Sequence, residues 1–415
     1  MTKSLIPPVE RWQSAHVKRR LEDRRVVLLA GARQCGKTTL ARALCGDETE
    51  YRTLDDMTLR DYAVDDPNSF VRHTAKTLII DEIQRAPELL LAIKLVVDED
   101  RRPGQFLLTG STNLSAIPQA KESLAGRVAK IRLRPFAQGE RLGTRPSFLQ
   151  RAFEGKFTSE LQKTSRDQLI TAAFRGGYPE AIELDERGRR SWHRDYVSAL
   201  LERDLADISR IHRLDAMRKL LEIVAAWSSK LMNVAEIGRG LSIKRPTVEA
   251  YLAALEALYL IERVPAWTKT DYERVGKHDK LFLADSGLMT TILNWRADQI
   301  KYDSDRVGKL IETFAYNELA AQCDLHEDFR LYHYRDRLQR EIDFVIERED
   351  DDSMIGIEVK ASSTVKSEAF NHLRWFKANF CGDRRFHGIV LYSGERIASF
   401  GQGMLAVPMS ALWSD

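Results

Sequence analysis

Short apolar runs alternate with helical segments over the first third of the chain. Some of these runs are apolar on both faces, as expected of strands buried between layers of helices: Val26–Ala30, Thr77–Ile80 and Gln105–Thr109. Strands that alternate with helices in this way form parallel sheets. The pattern therefore predicts an α/β domain with a parallel sheet, which we place at residues 1–139.

Beyond this domain the chain becomes charged and helical, and later mixed again. Residues 140–217 carry arginine and glutamate between apolar positions, which indicates a helical linker or lid. In residues 305–415 an amphipathic helix, Val307–Ala321, precedes alternating strands at Glu341–Ile346 and Ile355–Val359. We expect a smaller α/β domain there.

The segment between these two parts, residues 218–304, has its own order of elements. Helical sequence at Val234–Ile237, a turn at Gly238–Gly240, a helix over Pro246–Leu258 and a strand at Leu260–Val264 follow one another. Helix, turn, helix and strand in this order are typical of a winged helix.

The composition agrees with several globular domains in a reducing compartment. Hydrophobic residues make up 43% and charged residues 30%, and the net charge of +3 neither favours nor excludes a nucleic-acid partner. No apolar run approaches the roughly 18 residues of a membrane span, so we expect a cytoplasmic protein without membrane contact. The cysteines show neither disulfide nor metal-ligand spacing: Cys35, Cys45, Cys323 and Cys381.

A complete phosphate-binding loop follows the first predicted strand. Residues Gly31–Thr38 match G-x-x-x-x-G-K-[ST] directly before a helical segment. In such a loop backbone N–H groups face the phosphates, Lys37 spans the β- and γ-phosphates, and the Thr38 hydroxyl binds Mg²⁺. The motif predicts ATP and Mg²⁺ as ligands. The residues expected to contact the nucleotide are Gly31, Ala32, Arg33, Gln34, Cys35, Gly36, Lys37, Thr38 and Thr39.

Two carboxylates end the next predicted strand. Asp81 is expected to hold Mg²⁺, and Glu82 to polarise the attacking water as a general base. A strand this apolar normally ends at the ligand edge of an α/β sheet, which favours a catalytic pair over a solvated one.

Two further features of this site stay open. One polar residue after the third strand, Thr109, Ser111 or Asn113, is expected to contact the γ-phosphate or the lytic water. Arg127 is a candidate catalytic arginine for the γ-phosphate of its own or a neighbouring subunit, with a structural arginine as the alternative. The role across subunits requires a homo-oligomer.

Short sequence motifs, each different from the others, are distributed along nearly the whole chain. They are Gly31–Thr38, Asp81–Gln84, Leu108–Ser111, Gly126–Arg127, Pro135–Phe136, Arg175–Pro179, Glu202–Asp204, Lys280–Leu288 and Ile357–Lys360. In this combination they resemble the AAA-type P-loop ATPases of bacteria and archaea that carry a C-terminal domain of unknown function. The resemblance implies ATP binding and hydrolysis by an AAA-type parallel sheet, followed by a helical and winged-helix region and a restriction-endonuclease-like domain.

The predicted recognition helix of the winged helix begins with basic residues. Lys244 and Arg245 are candidates to contact DNA phosphates. Glu249 and Glu256 on the same helix reduce its positive charge. DNA contact and a spacer or protein-contact role both stay open.

Acidic residues on the two C-terminal strands predict a second site. Alternation puts Glu341 and Asp343 on one face, and a hairpin would bring Asp343, Glu358 and Lys360 together. This set resembles the PD-(D/E)xK nuclease core, with Glu312 as the additional helical acid. Glu312, Asp343 and Glu358 are then ligands of Mg²⁺ or Mn²⁺, and Asp343, Glu358 and Lys360 are the catalytic groups.

These predictions combine into two alternative functions. In the first, the nucleotide state of an ATPase controls a C-terminal module that binds or cleaves nucleic acid, with DNA as the partner. In the second, the protein is a regulatory ATP switch that binds a protein partner, and its nuclease-like fold is a catalytically inactive scaffold.

Overall fold

The computed structural model describes residues 9–111, 126–157, 161–204, 213–274 and 276–414. Within them the chain forms three sheets, one in each of its amino-terminal, middle and carboxyl-terminal parts. Buried apolar side chains from all these parts belong to one continuous cluster, so the parts pack directly on one another. No helix in these residues combines the length and the apolar character that crossing a membrane requires.

The amino-terminal sheet is parallel. Its strands are β1 (Val26–Ala30), β2 (Thr49–Thr53), β3 (Thr77–Asp81), β4 (Phe106–Gly110) and β5 (Val128–Arg132). Among the described residues they pair in the order β2-β3-β4-β1-β5. β1, β3 and β4 are buried along their whole length, as expected of strands in the interior of a parallel sheet. The strands predicted from the apolar runs are therefore confirmed.

Among the residues that the structure describes, one helix precedes the first strand of this sheet, and four others follow its strands. They are α1 (Gln13–Asp23), α2 (Lys37–Ala43), α3 (Met57–Asp65), α4 (Pro67–Phe70) and α5 (Leu89–Glu99). Because the strands are parallel, the carboxyl ends of β1, β3 and β4 all lie at the same edge of the sheet. Ligands of open α/β sheets bind at that edge.

The next segment is helical, as predicted. Its helices are α6 (Gln138–Leu142), α7 (Phe148–Glu154), α8 (Arg166–Arg175) and α9 (Glu186–Ala199). Ser165 begins α8 with a capping box, in which its hydroxyl accepts from the backbone N–H of Gln168. In α9 the Tyr196 hydroxyl donates to the carbonyl of Arg33 at 3.1 Å. The helical segment thus contacts the phosphate-binding loop.

The middle of the chain combines helices with a small antiparallel sheet. The helices are α10 (Leu214–Ala226), α11 (Val234–Leu241), α12 (Arg245–Ala257) and α13 (Asp271–Arg274). The strands β6 (Lys230–Leu231), β7 (Ile261–Val264) and β8 (Lys280–Leu283) pair in the order β6-β8-β7 among the described residues. The predicted helix and strand at Pro246–Leu258 and Leu260–Val264 correspond to α12 and β7.

The predicted turn at Gly238–Gly240 is wrong. Helix α11 continues through both glycines to Leu241, and the chain turns at Ser242, whose φ of 54° is left-handed. A Cβ on Gly238 would meet the Ile243 carbonyl oxygen at 2.9 Å. Gly238 therefore permits the close return of the chain towards α12, which is a packing requirement that resembles a turn signal in the sequence.

The carboxyl-terminal part is a mixed sheet packed on a long helix. The helices are α14 (Ser286–Ile292), α15 (Ala297–Ile300), α16 (Ser304–Cys323) and α17 (Asn371–Phe376). The strands are β9 (Phe329–Arg335), β10 (Glu341–Arg348), β11 (Ser353–Lys360), β12 (Phe386–Tyr392), β13 (Ala398–Ser399) and β14 (Met404–Pro408). Among the described residues their order is β13-β14-β12-β11-β10-β9, with β11 parallel to β12 and antiparallel to β10. Short 3₁₀ or π-helical turns lie at Ile83–Arg85, Ala181–Glu183, Leu200–Asp204, Ser367–Phe370, Lys377–Cys381 and Met409–Leu412.

Candidate functional site

The phosphate-binding loop joins β1 to α2 at the carboxyl edge of the parallel sheet. Gly36 has a φ of 98°, a left-handed conformation that favours glycine. A Cβ on Gly31 would meet the Leu133 carbonyl oxygen at 2.1 Å, so only glycine fits there. Helix α2 begins at Lys37, and its first N–H groups point towards the loop. The local sequence thus folds into a cradle for anions.

The Lys37 side chain is buried in this loop. Its ammonium donates to the carbonyl of Gly31 at 3.0 Å and to that of Ala32 at 2.7 Å. A phosphate oxygen accepts from an ammonium more strongly than a neutral carbonyl does, so a bound nucleotide would draw Lys37 away from these carbonyls. The position fits the predicted role, which stays a prediction.

Hydroxyl groups surround Asp81 at the end of β3. Its carboxylate accepts from Thr38 Oγ1 at 2.9 Å and from the Tyr51 hydroxyl at 2.8 Å, and Thr109 Oγ1 also donates to it. The hydroxyl of Thr38 and the carboxylate of Asp81 are close enough to share one cation, so the residues fit Mg²⁺. Burial and the contact with Asp81 raise the pKa of Tyr51. The sequence reasoning missed Tyr51, because only the pairing of β2 with β3 brings it to the site.

Glu82 follows in a left-handed conformation with a φ of 62°. Its backbone N–H donates to Thr109 Oγ1 at 3.0 Å, and its carboxylate accepts from the Gln84 amide and from the Ser111 hydroxyl, the latter at 3.4 Å. Gln84 also donates to Ser111 Oγ at 2.9 Å. Backbone strain of this kind persists where the surroundings hold a functional group in place, which supports the proposed general base.

The candidates for the γ-phosphate sensor divide into two groups. Thr109 contacts Asp81 and Ser111 contacts Glu82, so both belong to the hydrogen-bonded surroundings of the carboxylate pair. Asn113 lies outside the described residues. The choice between these candidates stays a prediction.

Arg127 lies at the opposite edge of the parallel sheet from the phosphate-binding loop. It precedes β5, in which Val128 pairs with Val26 at the start of β1, whereas the loop follows the end of β1. A strand of this length spans roughly 13–17 Å, which an arginine side chain does not cross. Its Nε instead pairs with Asp98 Oδ1 at 2.6 Å. The predicted role towards the nucleotide of its own chain is therefore wrong, and the role across subunits stays a prediction.

A buried arginine that the sequence patterns did not single out contacts the loop. Arg11 donates from Nη1 to the Cys35 carbonyl at 2.7 Å and from Nη2 to the Arg134 carbonyl at 2.6 Å. Its Nε pairs with Glu140 Oε1 at 2.9 Å. The phosphate-binding loop is thereby joined to the segment that leaves β5.

The Arg134 side chain continues these contacts into the rest of the chain. Its Nη2 donates to Glu262 Oε2 on β7 at 2.9 Å, and its Nε to Asp324 Oδ2 after α16 at 2.6 Å. Arg132 and the Tyr316 hydroxyl reach the same Glu262 oxygen at 2.8 and 2.7 Å. Burial opposes the charge of Glu262, but the two arginines outweigh it and lower its pKa to about 2. The group is therefore an anion held by cations at and just after the end of β5.

The C-terminal hairpin is confirmed by the register of its strands. β10 pairs with β11 such that Phe344 faces Ile357, which sets Asp343 and Glu358 opposite each other on one face. Asp343 Oδ2 accepts from the Val359 N–H at 2.9 Å, and the Lys360 ammonium donates to Glu358 Oε2 at 3.0 Å. The D…ExK residues are thus neighbours.

The expected metal ligands contact lysine side chains in this structure. Among the described residues no group of three or more histidine, cysteine, aspartate or glutamate side chains is arranged to hold a metal ion. Lys280, at the start of β8, places its ammonium 2.6 Å from Glu312 Oε1 and 3.0 Å from Asp343 Oδ1, while Glu358 turns to Lys360. The metal roles predicted for Glu312, Asp343 and Glu358 therefore disagree with the geometry. Lys280 pairs with Glu312 and Asp343, and Lys360 pairs with Glu358.

Burial and mutual repulsion act on the same carboxylates. Burial, followed by the charge of Asp343, raises the pKa of both Glu312 and Glu358. Burial also disfavours ionised Asp343, but Lys280, Lys360 and the Val359 N–H outweigh it and keep its pKa below the usual range. Asp343 is therefore the anion that the two lysines stabilise most directly.

The basic residues at the beginning of α12 are exposed. Lys244 and Arg245 face solvent, and Arg245 Nε lies 3.9 Å from Glu249 Oε1. Glu256 pairs with Arg263 at 2.8 Å and therefore has its own partner. DNA contact by this corner stays a prediction.

The fold and the amino-terminal site together define a P-loop nucleotide-binding domain. Family comparisons agree: residues 23–142 match an AAA domain, residues 166–299 a domain of unknown function (DUF8612) and residues 307–412 a further domain of unknown function (DUF4143). The AAA match contains the loop and the Asp81-Glu82 pair. The chain therefore carries an AAA-type P-loop ATPase domain, a class that binds and hydrolyses ATP.

Two relatives with sequence similarity along most of the chain carry the name uncharacterized protein. The chain is 28% identical over 397 residues to one from Mycobacterium tuberculosis, across 95% of this chain and 82% of that protein. A Mycobacterium bovis protein matches with the same identity and coverage.

The chain also resembles solved ATPase structures at low TM-scores. AMPPCP-bound DnaA from Aquifex aeolicus matches with 15% identity and a TM-score of 0.30, over 61% of this chain and 89% of that chain. A signal transduction ATPase with numerous domains from Pyrococcus horikoshii matches with 14% identity and a TM-score of 0.24, over 77% of this chain and 49% of that chain. The ATPase class rests on the family match and the loop geometry, not on these likenesses.

Proposed function

We propose that the protein is a Mg²⁺-dependent ATPase whose nucleotide state controls its C-terminal half. The observation that carries this proposal is the chain of buried contacts from the loop to the other parts. Arg11 joins the Cys35 carbonyl to the Arg134 carbonyl, and the Arg134 side chain joins Glu262 and Asp324.

The nucleotide-binding part of the proposal uses the residues at the sheet edge. Gly31–Thr38 and Thr39 would hold the phosphates, and Thr38 with Asp81 would hold Mg²⁺, which neutralises charge on the transferred group. Glu82, restrained by Gln84 and Ser111, would orient and polarise the attacking water.

The coupling part follows from the burial of the arginines. Arg11 and Arg134 are buried, and a buried charge that loses its partner is strongly destabilised. A shift of the Cys35 carbonyl when phosphate binds therefore moves Arg11 and its partners together, since separation is unfavourable. β7 and α16 would receive this shift through Glu262 and Asp324.

Hydrogen exchange tests the coupling directly. In the wild type, a nonhydrolysable ATP analogue should change amide protection in β7 and α16. Arg11→Met, which keeps the length of the side chain and removes its donors, should still bind the analogue but lose most of the distant change. Arg19→Met, at an exposed position of α1, is the matched control. A distant change of wild-type size in Arg11→Met contradicts the proposal.

We further propose four domains, at residues 1–139, 140–217, 218–304 and 305–415. The third would be a winged helix, which the order of α10, β6, α11, α12, β7 and β8 supports. The fourth would have a restriction-endonuclease-like fold, which the mixed sheet and the neighbouring Asp343, Glu358 and Lys360 support. These two would form the module that the nucleotide controls.

DNA binding is the function of this module that the exposed basic corner of α12 favours. Reversal of charge in Lys244→Glu with Arg245→Glu should weaken binding of duplex, branched or single-stranded DNA in an electrophoretic shift assay. Lys219→Glu, at an exposed position of α10, is the control. Equal binding by both variants would exclude the α12 corner as the DNA contact, and no binding by the wild type would favour the second function class, in which the module binds a protein partner.

Supercoiled plasmid separates a nuclease from a scaffold. We expect the plasmid to stay intact with Mg²⁺ or Mn²⁺, with and without ATP, because Lys280 takes up the carboxylates of the C-terminal centre. Nicking that is lost in Asp343→Asn would establish the nuclease function instead.

A further inference from the structure

Lys280 is the central cation of the C-terminal carboxylate cluster. Its side chain is 1% exposed, and its ammonium lies 2.6 Å from Glu312 Oε1, 3.0 Å from Glu341 Oε1 and 3.0 Å from Asp343 Oδ1. These carboxylates come from α16 and β10, whereas the lysine comes from β8 of the middle part. The cation is therefore supplied by a different part of the chain from its ligands.

The carboxylates surround this ammonium as they would surround a metal ion. Oxygens from three side chains converge on one point, and their distances of 2.6–3.0 Å suit an ammonium, since oxygen ligands of Mg²⁺ lie at about 2.0–2.1 Å. We propose that Lys280 permanently occupies the place of the divalent metal ion in this centre, so that the protein binds no metal there.

Three further oxygens of the cluster have partners of their own. Arg335 pairs with Glu341 Oε2 at 3.0 Å, and the Val359 N–H donates to Asp343 Oδ2 at 2.9 Å. The Lys360 ammonium lies 3.0 Å from Glu358 Oε2. A metal ion would have to displace Lys280 and leave a buried ammonium without its anions, which is strongly unfavourable.

The backbone of β8 holds the lysine in this place. Lys280 pairs with Val264 of β7 and with Leu231 of β6, so it lies on the central strand of the small sheet. Because the ammonium of Lys280 is covalently attached to this strand, it is always present at the carboxylates, whereas a metal ion must bind from solution. The cluster would thus join the middle part to the C-terminal sheet and would not activate water for phosphodiester cleavage.

The proposal does not depend on the carboxylates being closed off from solvent. Glu312 and Glu341 line an open cavity of about 990 Å³ together with Lys309 and His333. Metal ions in solution would therefore reach Glu312 and Glu341, and the competition with Lys280 decides whether they bind.

Removal of the lysine should create a metal site. All proteins carry Asp81→Asn to remove Mn²⁺ binding at the nucleotide site, and Mn²⁺ is titrated in calorimetry and by its electron paramagnetic resonance signal. The parent, which carries Asp81→Asn alone, should show no Mn²⁺ binding that is lost when Asp343 is also replaced. Lys280→Ala should gain one Mn²⁺ with at least ~10-fold higher affinity than any binding by the parent, and Lys280→Ala with Asp343→Asn should lose it.

Two results would overturn the proposal. One is that the parent binds a Mn²⁺ ion and that Asp343→Asn in the parent loses it. Both proteins in this comparison retain Lys280. The other is a folded Lys280→Ala, judged by circular dichroism, that gains no Mn²⁺. If Lys280→Ala does not fold, Lys280→Met, which retains the buried stem, takes its place in the same titration.

Discussion

At the scale of single residues, the charge of Lys37 is the feature on which nucleotide binding depends most. Lys37→Ala should weaken ATP·Mg²⁺ binding by roughly 100-fold, because a charge-assisted contact to phosphate is lost. Isothermal calorimetry measures this, with Lys18→Ala, an exposed lysine of α1, as the control. An unchanged dissociation constant would remove Lys37 from the site.

Glu82 should separate binding from turnover. Glu82→Gln keeps the size and the contacts of the side chain but loses the base, so ATP should bind with wild-type affinity while hydrolysis falls by roughly 100-fold or more. Phosphate release in steady state measures the rate, and Glu99→Gln, at the exposed end of α5, should hydrolyse normally. If Glu82→Gln turns over at the wild-type rate, another group polarises the water.

At the scale of elements, Glu262 on β7 makes stability depend on pH. Its pKa falls from an ordinary 4.5 to about 2 in the folded chain, so ionised Glu262 stabilises the fold above about pH 4.5, and this contribution disappears as the pH falls towards 2. Glu262→Gln should therefore destabilise the protein at pH 7 by on the order of 3 kcal/mol.

The pH dependence distinguishes this electrostatic effect from lost packing. The difference in thermal midpoint between the wild type and Glu262→Gln should be larger at pH 7 than at pH 3.5, as followed by circular dichroism. Glu222→Gln, on the exposed side of α10, should show no such difference. A difference that is the same at both pH values would mean that the arginines do not hold Glu262 as an anion.

At the scale of the whole molecule, the predicted role of Arg127 across subunits requires assembly. Since Arg127 lies across the sheet from its own loop, a catalytic role requires a neighbouring subunit. Arg127→Ala and Lys37→Ala should each hydrolyse little ATP, and their mixture should recover part of the activity, because one supplies the loop and the other the arginine. Coupled phosphate release measures the recovery.

The alternative is that Arg127 is structural through its pair with Asp98. In that case Asp98→Ala should lower hydrolysis as much as Arg127→Ala, and the mixture should stay inactive. Hydrolysis by Arg127→Ala alone at the wild-type rate would exclude both roles.

The sequence by itself determined the elements whose physics is local. Apolar runs define β1, β3 and β4 because a strand buried on both faces needs no distant information, and Gly31–Thr38 encodes its own loop geometry. The hairpin of β10 and β11 follows in the same way from alternation and a short turn. Gly238 misled the prediction because a glycine required for close packing resembles a glycine of a turn.

Only the tertiary structure decided which charges meet. Arg11 and Glu140 lie 129 positions apart, and Lys280 lies 63 positions from Asp343, so no local pattern signals their contacts. Arg127 is a different case. Its motif is recognisable in the local sequence, but only the pairing of β5 with β1 decides at which edge of the sheet it lies. A buried charge is stable only with a partner, and partners from distant parts are chosen by the packing of the whole chain.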